Sequence, residues 1–305
     1  MVNLSVNING LSFKNPIITA SGTFGYGIEF NKFFDIQLLG GIVFKTLTIK
    51  PKEGNPYPRI VETEGGILNS IGLQNIGINN FINEIYPLIK DLNLIKIVSI
   101  AGNSPEEYYE LADIIEDLEK IDALELNVSC PNVKEGGVHF GYNIKLLGKL
   151  VSEIKKRTKK ILIVKLPPDI TNIVNLAKEA ENCGADILSL INTIKGMAVD
   201  TENFKPKLST ITGGLSGPCI KPIALYLVWE VVKNVNIPII GIGGIMNYKD
   251  VLEYLSIGAK AVQIGTANLL NPLVTINIIN DLKNYLIKKN FSDINQIIGI
   301  FNKNL

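Results

Sequence analysis

Residues 237–266 read IPIIGIGGIMNYKDVLEYLSIGAKAVQIGT, and this stretch decides the fold. An apolar run at 237–242 and a second at 261–265 are each closed by glycine. Between them, Asn247 starts a segment whose apolar residues have helical spacing and which ends at Gly258. Two apolar runs joined by a helix predict a β–α–β unit whose parallel strands are covered on both faces.

The same alternation extends over most of the chain. Short apolar runs predict eight strands, at residues 17–20, 41–45, 97–101, 123–128, 161–166, 187–192, 237–242 and 261–265. Helical patterns lie between them, for example after Ser104, which is placed to cap a helix that begins at Pro105. Eight buried strands followed by helices predict an α/β fold, the (β/α)8 TIM barrel, as one domain over residues 1–305. An open, doubly wound sheet is the alternative.

Additions to the simple repeat are also predicted. Asn9-Gly10 between the apolar runs 4–8 and 11–13 predicts an N-terminal β-hairpin with a type I′ turn. Long insertions follow strands 2, 4 and 6, and the first and last of these run from Thr46 to about residue 80 and from Thr193 to about residue 218. Insertions after barrel strands lie at the C-terminal face, where barrel active sites are built.

Composition excludes several classes of function. The 305 residues carry 30 basic and 29 acidic side chains, which gives no global basic field for nucleic acid. The three cysteines, Cys130, Cys183 and Cys219, are too scattered for a disulfide framework or a metal cluster, and we expect no metal site. No signal peptide and no apolar run of about 18 residues is recognisable. We therefore expect a cytoplasmic protein that does not bind membranes.

Two glycine groups predict a phosphate site. Gly243-Gly244 follow the seventh predicted strand, and Gly265-Thr266 end the eighth, one barrel repeat further along the chain. Glycine allows backbone N–H groups to approach a phosphate closely, and barrels hold phosphate in the loops after these two strands. The ligand could be a phosphorylated substrate or a flavin mononucleotide.

A second motif follows the fourth strand. Residues 125–132 read ELNVSCPN, which places Asn127 at the barrel mouth and Cys130 on the loop just beyond it. Pro131 disfavours helix at Cys130, and the glycines downstream would let the loop act as a lid. A cysteine between polar residues at a strand exit is a candidate catalytic group, whereas Cys183 and Cys219 are interpreted as packing residues.

These residues resemble class 1 dihydroorotate dehydrogenases over essentially the whole chain. The motifs that carry the resemblance are NVSCPNVKEGG at 127–137, NSIGLQN at 69–75 and the glycine groups above. GGLSGP at 213–218, followed by IKP at 220–222, is similar to subclass 1B, which is linked to NAD⁺. A cysteine base separates class 1 from the membrane-bound class 2.

The resemblance implies a bound FMN and a substrate loop. The residues that match flavin positions are Ser21, Lys45, Thr46, Ser99, Asn127, Lys165, Ile191, Gly217, Gly243, Gly244, Gly265 and Thr266. Ser99 replaces the asparagine that is usual in the family, so we expect this contact to weaken or to run through a water. The residues that match substrate positions are Lys45, Asn69, Ser70, Ile71, Gly72, Leu73, Asn127, Asn192 and Thr193.

The implied reaction is the oxidation of dihydroorotate to orotate in pyrimidine biosynthesis. Cys130 would take the C5 proton and the flavin the C6 hydride. In subclass 1B a partner subunit with FAD and a [2Fe–2S] cluster passes electrons to NAD⁺, in a heterotetramer built on a dimer of the catalytic chain. Subclass 1A, which uses fumarate, an enzyme similar to dihydropyrimidine dehydrogenase, and a non-catalytic flavin-binding subunit are the alternatives.

Overall fold

A computed structural model describes residues 2–129 and 140–305 of the chain. In these residues the strands are β1 (Val6–Ile8), β2 (Leu11–Phe13), β3 (Ile17–Thr19), β4 (Gly41–Val43), β5 (Ile60–Thr63), β6 (Gly66–Asn69), β7 (Ile95–Ile100), β8 (Ala123–Asn127), β9 (Ile161–Lys165), β10 (Ile187–Leu190), β11 (Ile194–Met197), β12 (Val199–Asp200), β13 (Lys205–Pro206), β14 (Thr212–Ser216), β15 (Ile239–Ile242) and β16 (Ala261–Ile264).

Eight of these strands form a closed parallel barrel in the order β3–β4–β7–β8–β9–β10–β15–β16. The pairing of β16 with β3 closes the sheet, so the predicted TIM barrel is confirmed and the open sheet is excluded. Each predicted apolar run is one of the barrel strands, with ends that differ by at most two residues. The strands are buried because helices cover the outer face and side chains fill the interior.

Helices connect the barrel strands. They are α1 (Gly77–Asn80), α2 (Tyr86–Ile89), α3 (Pro105–Glu116), α4 (Ile144–Lys155), α5 (Ile173–Asn182), α6 (Lys221–Val232), α7 (Tyr248–Ser256), α8 (Ala267–Leu270) and α9 (Val274–Lys288), with a π-helical turn at Phe81–Ile85 between α1 and α2. Short 3₁₀ helices lie at Ile28–Phe30, Ile36–Leu38, Phe140–Tyr142, Pro218–Ile220, Ile294–Gln296 and Phe301–Lys303. Ser104 caps α3 as predicted, by accepting a hydrogen bond from the Glu107 N–H.

The N-terminal hairpin covers the end of the barrel opposite the predicted site. Asn9 and Gly10 have φ values of 48° and 88°, as a type I′ turn requires, so this prediction is confirmed. The Asn9 side chain reaches the carbonyl of Asp186, which directly precedes β10. Phe13 is fully buried beneath the barrel. The hairpin therefore leaves the C-terminal mouth open for function.

Two of the predicted insertions contain an additional sheet. The insertion after β4 supplies β5 and β6, the insertion after β10 supplies β11 and β14, and together they form an antiparallel sheet in the order β11–β14–β6–β5. Sequence patterns predicted the insertions but not this sheet, because its central pairing joins Asn69 to Gly214, 145 residues away. The loop expected after the fourth strand falls on residues 130–139, outside the described residues.

A polar cluster inside the barrel shows which side chains face inward. The carboxylate of Glu125 on β8 is fully buried and accepts hydrogen bonds from Ser189 on β10 (3.0 Å) and Gln263 on β16 (2.7 Å). Side chains from alternate strands form such interior layers in TIM barrels. Asn127 lies two residues after Glu125, and Lys165 pairs with Ser189, so both face the interior at the upper end of their strands.

Candidate active site

A chain of hydroxyl groups lines the mouth at the ends of the first three barrel strands. Ser21 Oγ lies 2.7 Å from Thr46 Oγ1, which lies 3.0 Å from Ser99 Oγ. Ser99 is fully buried, so its hydroxyl lies behind that of Thr46 rather than at the surface of the mouth. The structure therefore shows Ser99 in contact with Thr46, and the predicted flavin contact of Ser99 stays a prediction.

Two cationic side chains lie close together beside this chain. Gly22 leaves room for the Lys45 ammonium, which would lie 3.5 Å from a β-carbon at that position. Burial lowers the pKa of Lys45, and the charge of the nearby Arg59 lowers it further. Arg59 is itself 9% exposed, and its guanidinium donates to the carbonyl of Glu53 and the hydroxyl of Tyr57. Two partly desolvated cations favour an anionic ligand, and sequence reasoning had not identified Arg59.

The three amide side chains predicted to bind substrate are brought to one place. Asn192 Nδ2 donates to Asn127 Oδ1 across 3.2 Å, and Asn192 Oδ1 accepts from the N–H of Thr193 at 2.8 Å. Asn69 Nδ2 donates to the carbonyl of Gly214 at 3.2 Å. Gly214 packs so closely on the Thr193 side chain that a β-carbon there would overlap it. The additional sheet therefore positions Asn69 beside the amides of the barrel.

The loop that follows Asn69 is held by its backbone. Gly72 and Leu73 have φ values of 75° and 57°, so the chain turns sharply there. The N–H of Ser70 donates to the carbonyl of Arg59 at 2.8 Å, and the carbonyl of Ile71 accepts from Asn55. The Ser70 hydroxyl is buried without a hydrogen-bond partner among the described residues. A buried hydroxyl of this kind is available to a ligand.

The glycine groups form a cradle after the last two strands. Gly217, Gly243 and Gly244 have positive φ values of 103°, 135° and 67°. A β-carbon on Gly244 would lie 2.9 Å from the carbonyl of Gly217, and Thr266 Oγ1 donates to Ser216 Oγ at 2.9 Å. These contacts bring together the two glycine groups that the sequence predicted for phosphate and Gly217, which the resemblance placed among the flavin positions. They add Ser216, for which no site role was predicted.

Backbone donors in this cradle are available. Within the described part of the chain, the N–H groups of Gly244, Gly265 and Thr266 have no hydrogen-bond acceptor. Unpaired N–H groups converging at strand ends suit a phosphate dianion. The N–H of Ile191, by contrast, donates to the carbonyl of Ile242 at 3.0 Å, so only the carbonyl of Ile191 remains for the predicted flavin contact.

Lys165 is the remaining charged residue of the predicted set. It is 7% exposed, and among residues 2–129 and 140–305 no acceptor for its ammonium is found. It lies in register with Asn127 on one side and Ser189 on the other. A cation held in this way at the mouth needs an anionic or electron-rich ligand.

Cys130, the predicted base, lies outside the described residues. Cys219 was expected to be a packing residue, but it is exposed, with its sulfur 3.9 Å from the carbonyl of Ser216. The helix that begins at Pro218 turns this side chain outward instead of into the core. In the described parts of the chain, no helix combines the length and the apolar character needed to cross a membrane.

The sequence pattern of dihydroorotate dehydrogenases matches residues 3–286. The chain belongs to the dihydroorotate dehydrogenase family. A relative from Bacteroides thetaiotaomicron, named dihydroorotate dehydrogenase B (NAD(+)), catalytic subunit, is 52% identical over 98% of this chain and 99% of its own length. A relative of the same name from Geotalea daltonii is 50% identical over 97% of each chain.

A solved structure of the family has the same fold. The crystal structure of DHODH from Eimeria tenella in complex with ferulenol has a TM-score of 0.80 to this chain, covering 98% of this chain and 89% of its own. Its sequence is 24% identical, so this likeness concerns the fold. The family that the motifs at 69–75 and 127–137 indicated is thus confirmed over almost the whole chain.

Proposed function

We propose that this chain is the catalytic subunit of an NAD⁺-linked dihydroorotate dehydrogenase, subclass 1B, which oxidises dihydroorotate to orotate in pyrimidine biosynthesis. Support comes from family membership and from relatives that carry this name at 50–53% identity. Their naming favours subclass 1B over a fumarate-dependent subclass 1A enzyme and over an enzyme similar to dihydropyrimidine dehydrogenase.

The observation that carries the proposal is the position of Asn127. It contacts the amide of Asn192 in the predicted substrate group and lies in register with Lys165 in the predicted flavin group. Its backbone carbonyl is fixed by the hydroxyl of Tyr108 at 2.8 Å. One rigid residue between two binding groups is what a reaction between substrate and a flavin requires.

The cradle fits the phosphate of FMN. The positive φ values of Gly217, Gly243 and Gly244 turn the chain sharply where β-carbons would overlap Gly66, Ala224 and Lys221, so only glycine fits these positions. The unpaired N–H groups of Gly244, Gly265 and Thr266 supply the donors for a phosphate. When bound, FMN would supply the acceptor for the C6 hydride. Beyond the phosphate, the residues that would hold FMN are Ser21, Lys45, Thr46, Ser99, Asn127, Lys165 and the carbonyl of Ile191.

The residues of this chain would act on the substrate as follows. Lys45, with Arg59 beside it, attracts the carboxylate, and the amides of Asn69, Asn127 and Asn192 bind the polar edge of the pyrimidine ring. The loop 70–73 and Thr193 complete the substrate pocket.

Cys130 is the proposed base that takes the C5 proton on its sulfur. A free thiol has a pKa of about 8.5, so a thiolate is accessible near neutral pH.

Electrons must leave this chain after each turnover. We propose that a partner subunit with FAD and a [2Fe–2S] cluster carries them to NAD⁺, in a heterotetramer built on a dimer of the catalytic chain. The three cysteines of the chain, Cys130, Cys183 and Cys219, are too few and too scattered to ligate an iron–sulfur cluster, so we assign this centre to the partner subunit. Few, scattered cysteines also support a reducing, cytoplasmic location.

Three experiments test this function. Anaerobic addition of dihydroorotate to the purified, FMN-loaded chain should bleach the flavin absorbance, and uracil or dihydrouracil should leave it unchanged. Efficient turnover of the isolated chain with fumarate would contradict subclass 1B. Purification from the native cell should instead yield a co-eluting iron–sulfur flavoprotein, and its addition should restore NAD⁺ reduction.

A further inference from the structure

An ion pair lies directly behind the glycine cradle. Lys221 is the first residue of α6, and its β-carbon is among the atoms closest to Gly244. Its ammonium does not extend into the cradle but contacts Asp250 Oδ1 at 2.6 Å and Glu253 Oε2 at 2.8 Å, both on α7. Lys221 belongs to the IKP motif at 220–222 and is not among the residues assigned above to flavin or substrate.

Asp250 connects this ion pair to the loop that carries the glycines. Its second oxygen accepts hydrogen bonds from the N–H groups of Met246 (2.8 Å) and Asn247 (3.0 Å), and its side chain is 8% exposed. From the same helix, Tyr254 donates to the carbonyl of Gly243 at 2.7 Å. Helix α7 therefore fixes both ends of the loop that follows β15, at Gly243 and at Met246-Asn247.

The contacts join two walls of the cradle that are separate in sequence. One wall is the segment from Gly217 to Lys221, and the other is the loop from Gly243 to Asn247. Without Lys221, the carboxylate of Asp250 would be a buried, unpaired charge, which is costly. The Lys221 ammonium is therefore stabilised at the carboxylate and does not turn toward the phosphate. Burial by itself would lower the pKa of Lys221, but Asp250 and Glu253 outweigh it and raise the pKa.

We infer that the Lys221–Asp250 pair is a positioning device that holds the two walls of the phosphate cradle in register, and that Lys221 is not the counter-charge of the bound phosphate. This inference rests on the proposed FMN site, because the cradle needs a phosphate to act on. The pair contributes affinity by preorganising backbone donors at Gly244, not by direct attraction.

The two roles predict opposite results for one substitution. Asp250→Asn keeps an oxygen for the N–H groups of Met246 and Asn247 but removes the charge that holds Lys221. A positioning pair predicts FMN binding about tenfold weaker, corresponding to about 1.4 kcal/mol. A counter-charge role predicts equal or tighter FMN binding, because the freed ammonium could then reach the phosphate.

Riboflavin distinguishes the phosphate cradle from the rest of the flavin site. Dissociation constants are measured by quenching of flavin fluorescence, with FMN and riboflavin, on the flavin-free full chain. Asp250→Asn should leave riboflavin binding unchanged. If the wild-type chain binds riboflavin as tightly as FMN, the proposed phosphate site itself is wrong. If the wild type prefers FMN and Asp250→Asn retains that preference, only the positioning role fails.

Two further variants make the test independent of folding defects. Glu253→Gln removes the more exposed arm of the pair, at 45% side-chain exposure, and should change FMN affinity less than about twofold. The double variant Lys221→Met with Asp250→Asn leaves no unpaired buried charge, because the Glu253 carboxylate that loses its partner is 45% exposed. A positioning pair predicts that it binds FMN no more weakly than Asp250→Asn alone. A large additional loss in the double variant would overturn the inference.

Discussion

The side chain of Asn192 donates a hydrogen bond to the side-chain oxygen of Asn127 across 3.2 Å, although the two residues are 65 positions apart in the chain. This bond fixes the orientation of the Asn127 amide, so that its N–H₂ group is left to donate to a ligand. Asn192 is fixed in turn by the N–H of Thr193. The two amides therefore have preset donor and acceptor directions.

We expect the two amides to differ in what they bind. Asn192→Ala should weaken orotate binding about tenfold, equivalent to one lost hydrogen bond of about 1.4 kcal/mol, and weaken FMN binding by less than about twofold, because Tyr108 still holds the Asn127 backbone. Asn127→Ala should weaken both. Titrations of orotate by flavin absorbance, and of FMN by fluorescence, measure the two effects. Asn203, an exposed amide on the β12–β13 hairpin, provides the control, and equal effects at Asn127 and Asn192 would contradict the assignment.

Cys130→Ser should slow flavin reduction by dihydroorotate without loss of bound FMN. Because a serine hydroxyl is a much weaker base than a thiolate, we expect the rate to fall by about a hundredfold or more. In the wild type the rate should rise with pH through the thiol pKa, which is about 8.5 for a free cysteine. Anaerobic stopped-flow measurements from about pH 6 to pH 10 check both points. Cys183→Ser, at the end of α5, is the matched control.

The barrel was predictable because its signal is local. Each strand is a short apolar run, and Asn9-Gly10 or Ser104 determines local structure through its own backbone or side chain. Residue types at strand ends also indicated the two glycine groups, whereas the amide group was indicated by the resemblance to a known family. The start of α5 shows a local contact of the same kind: the carboxylate of Asp169 accepts hydrogen bonds from the N–H groups of Thr171 and Asn172 and from the Thr171 hydroxyl.

The parts that sequence reasoning missed depend on contacts between distant segments. The sheet that carries Asn69 exists only because β6 pairs with β14, and Glu125 meets Gln263 across 138 residues. Arg59 lies in an insertion, and nothing in its local sequence shows that the fold brings it near Lys45. Such pairings have no periodic signature, so only the assembled barrel shows them.

Orotate binding should depend on pH through Lys45. Its pKa is lowered below 10.5 in the free protein by burial and by Arg59, whereas an anion beside it would raise the pKa again. Affinity should then fall as pH rises through the lowered pKa, and binding in that range should take up a proton. Calorimetry in two buffers of different ionisation enthalpy measures this uptake. The number of protons taken up on orotate binding should be lower in Lys45→Met, by at most one proton. Identical proton uptake in both proteins would show that Lys45 is not the group that titrates.

Two glycines of the cradle should respond differently to alanine. At Gly265 a β-carbon would make only ordinary contact with Ala20 (3.6 Å) and Thr23 (3.9 Å), so Gly265→Ala should keep its stability and lose FMN affinity by about tenfold. At Gly243, with φ of 135°, a β-carbon would lie 2.5 Å from that of Ala224. Gly243→Ala should therefore lower the free energy of unfolding by about 1–3 kcal/mol. Thermal melts of the flavin-free proteins separate the two cases.

Lys165→Met should make the midpoint potential of the bound flavin more negative. The Lys165 ammonium is buried, faces the barrel mouth and lacks an acceptor among the described residues, so it is available to stabilise negative charge that develops on the reduced ring. For a two-electron couple, each tenfold loss of this stabilisation shifts the potential by about 30 mV. Dye-linked titration of the FMN-loaded variant measures the shift. Lys160, whose ammonium donates to the carbonyls of Leu118 and Ile121, supplies the control Lys160→Met. An unchanged potential in Lys165→Met, with FMN still bound, would show that this cation does not act on the flavin.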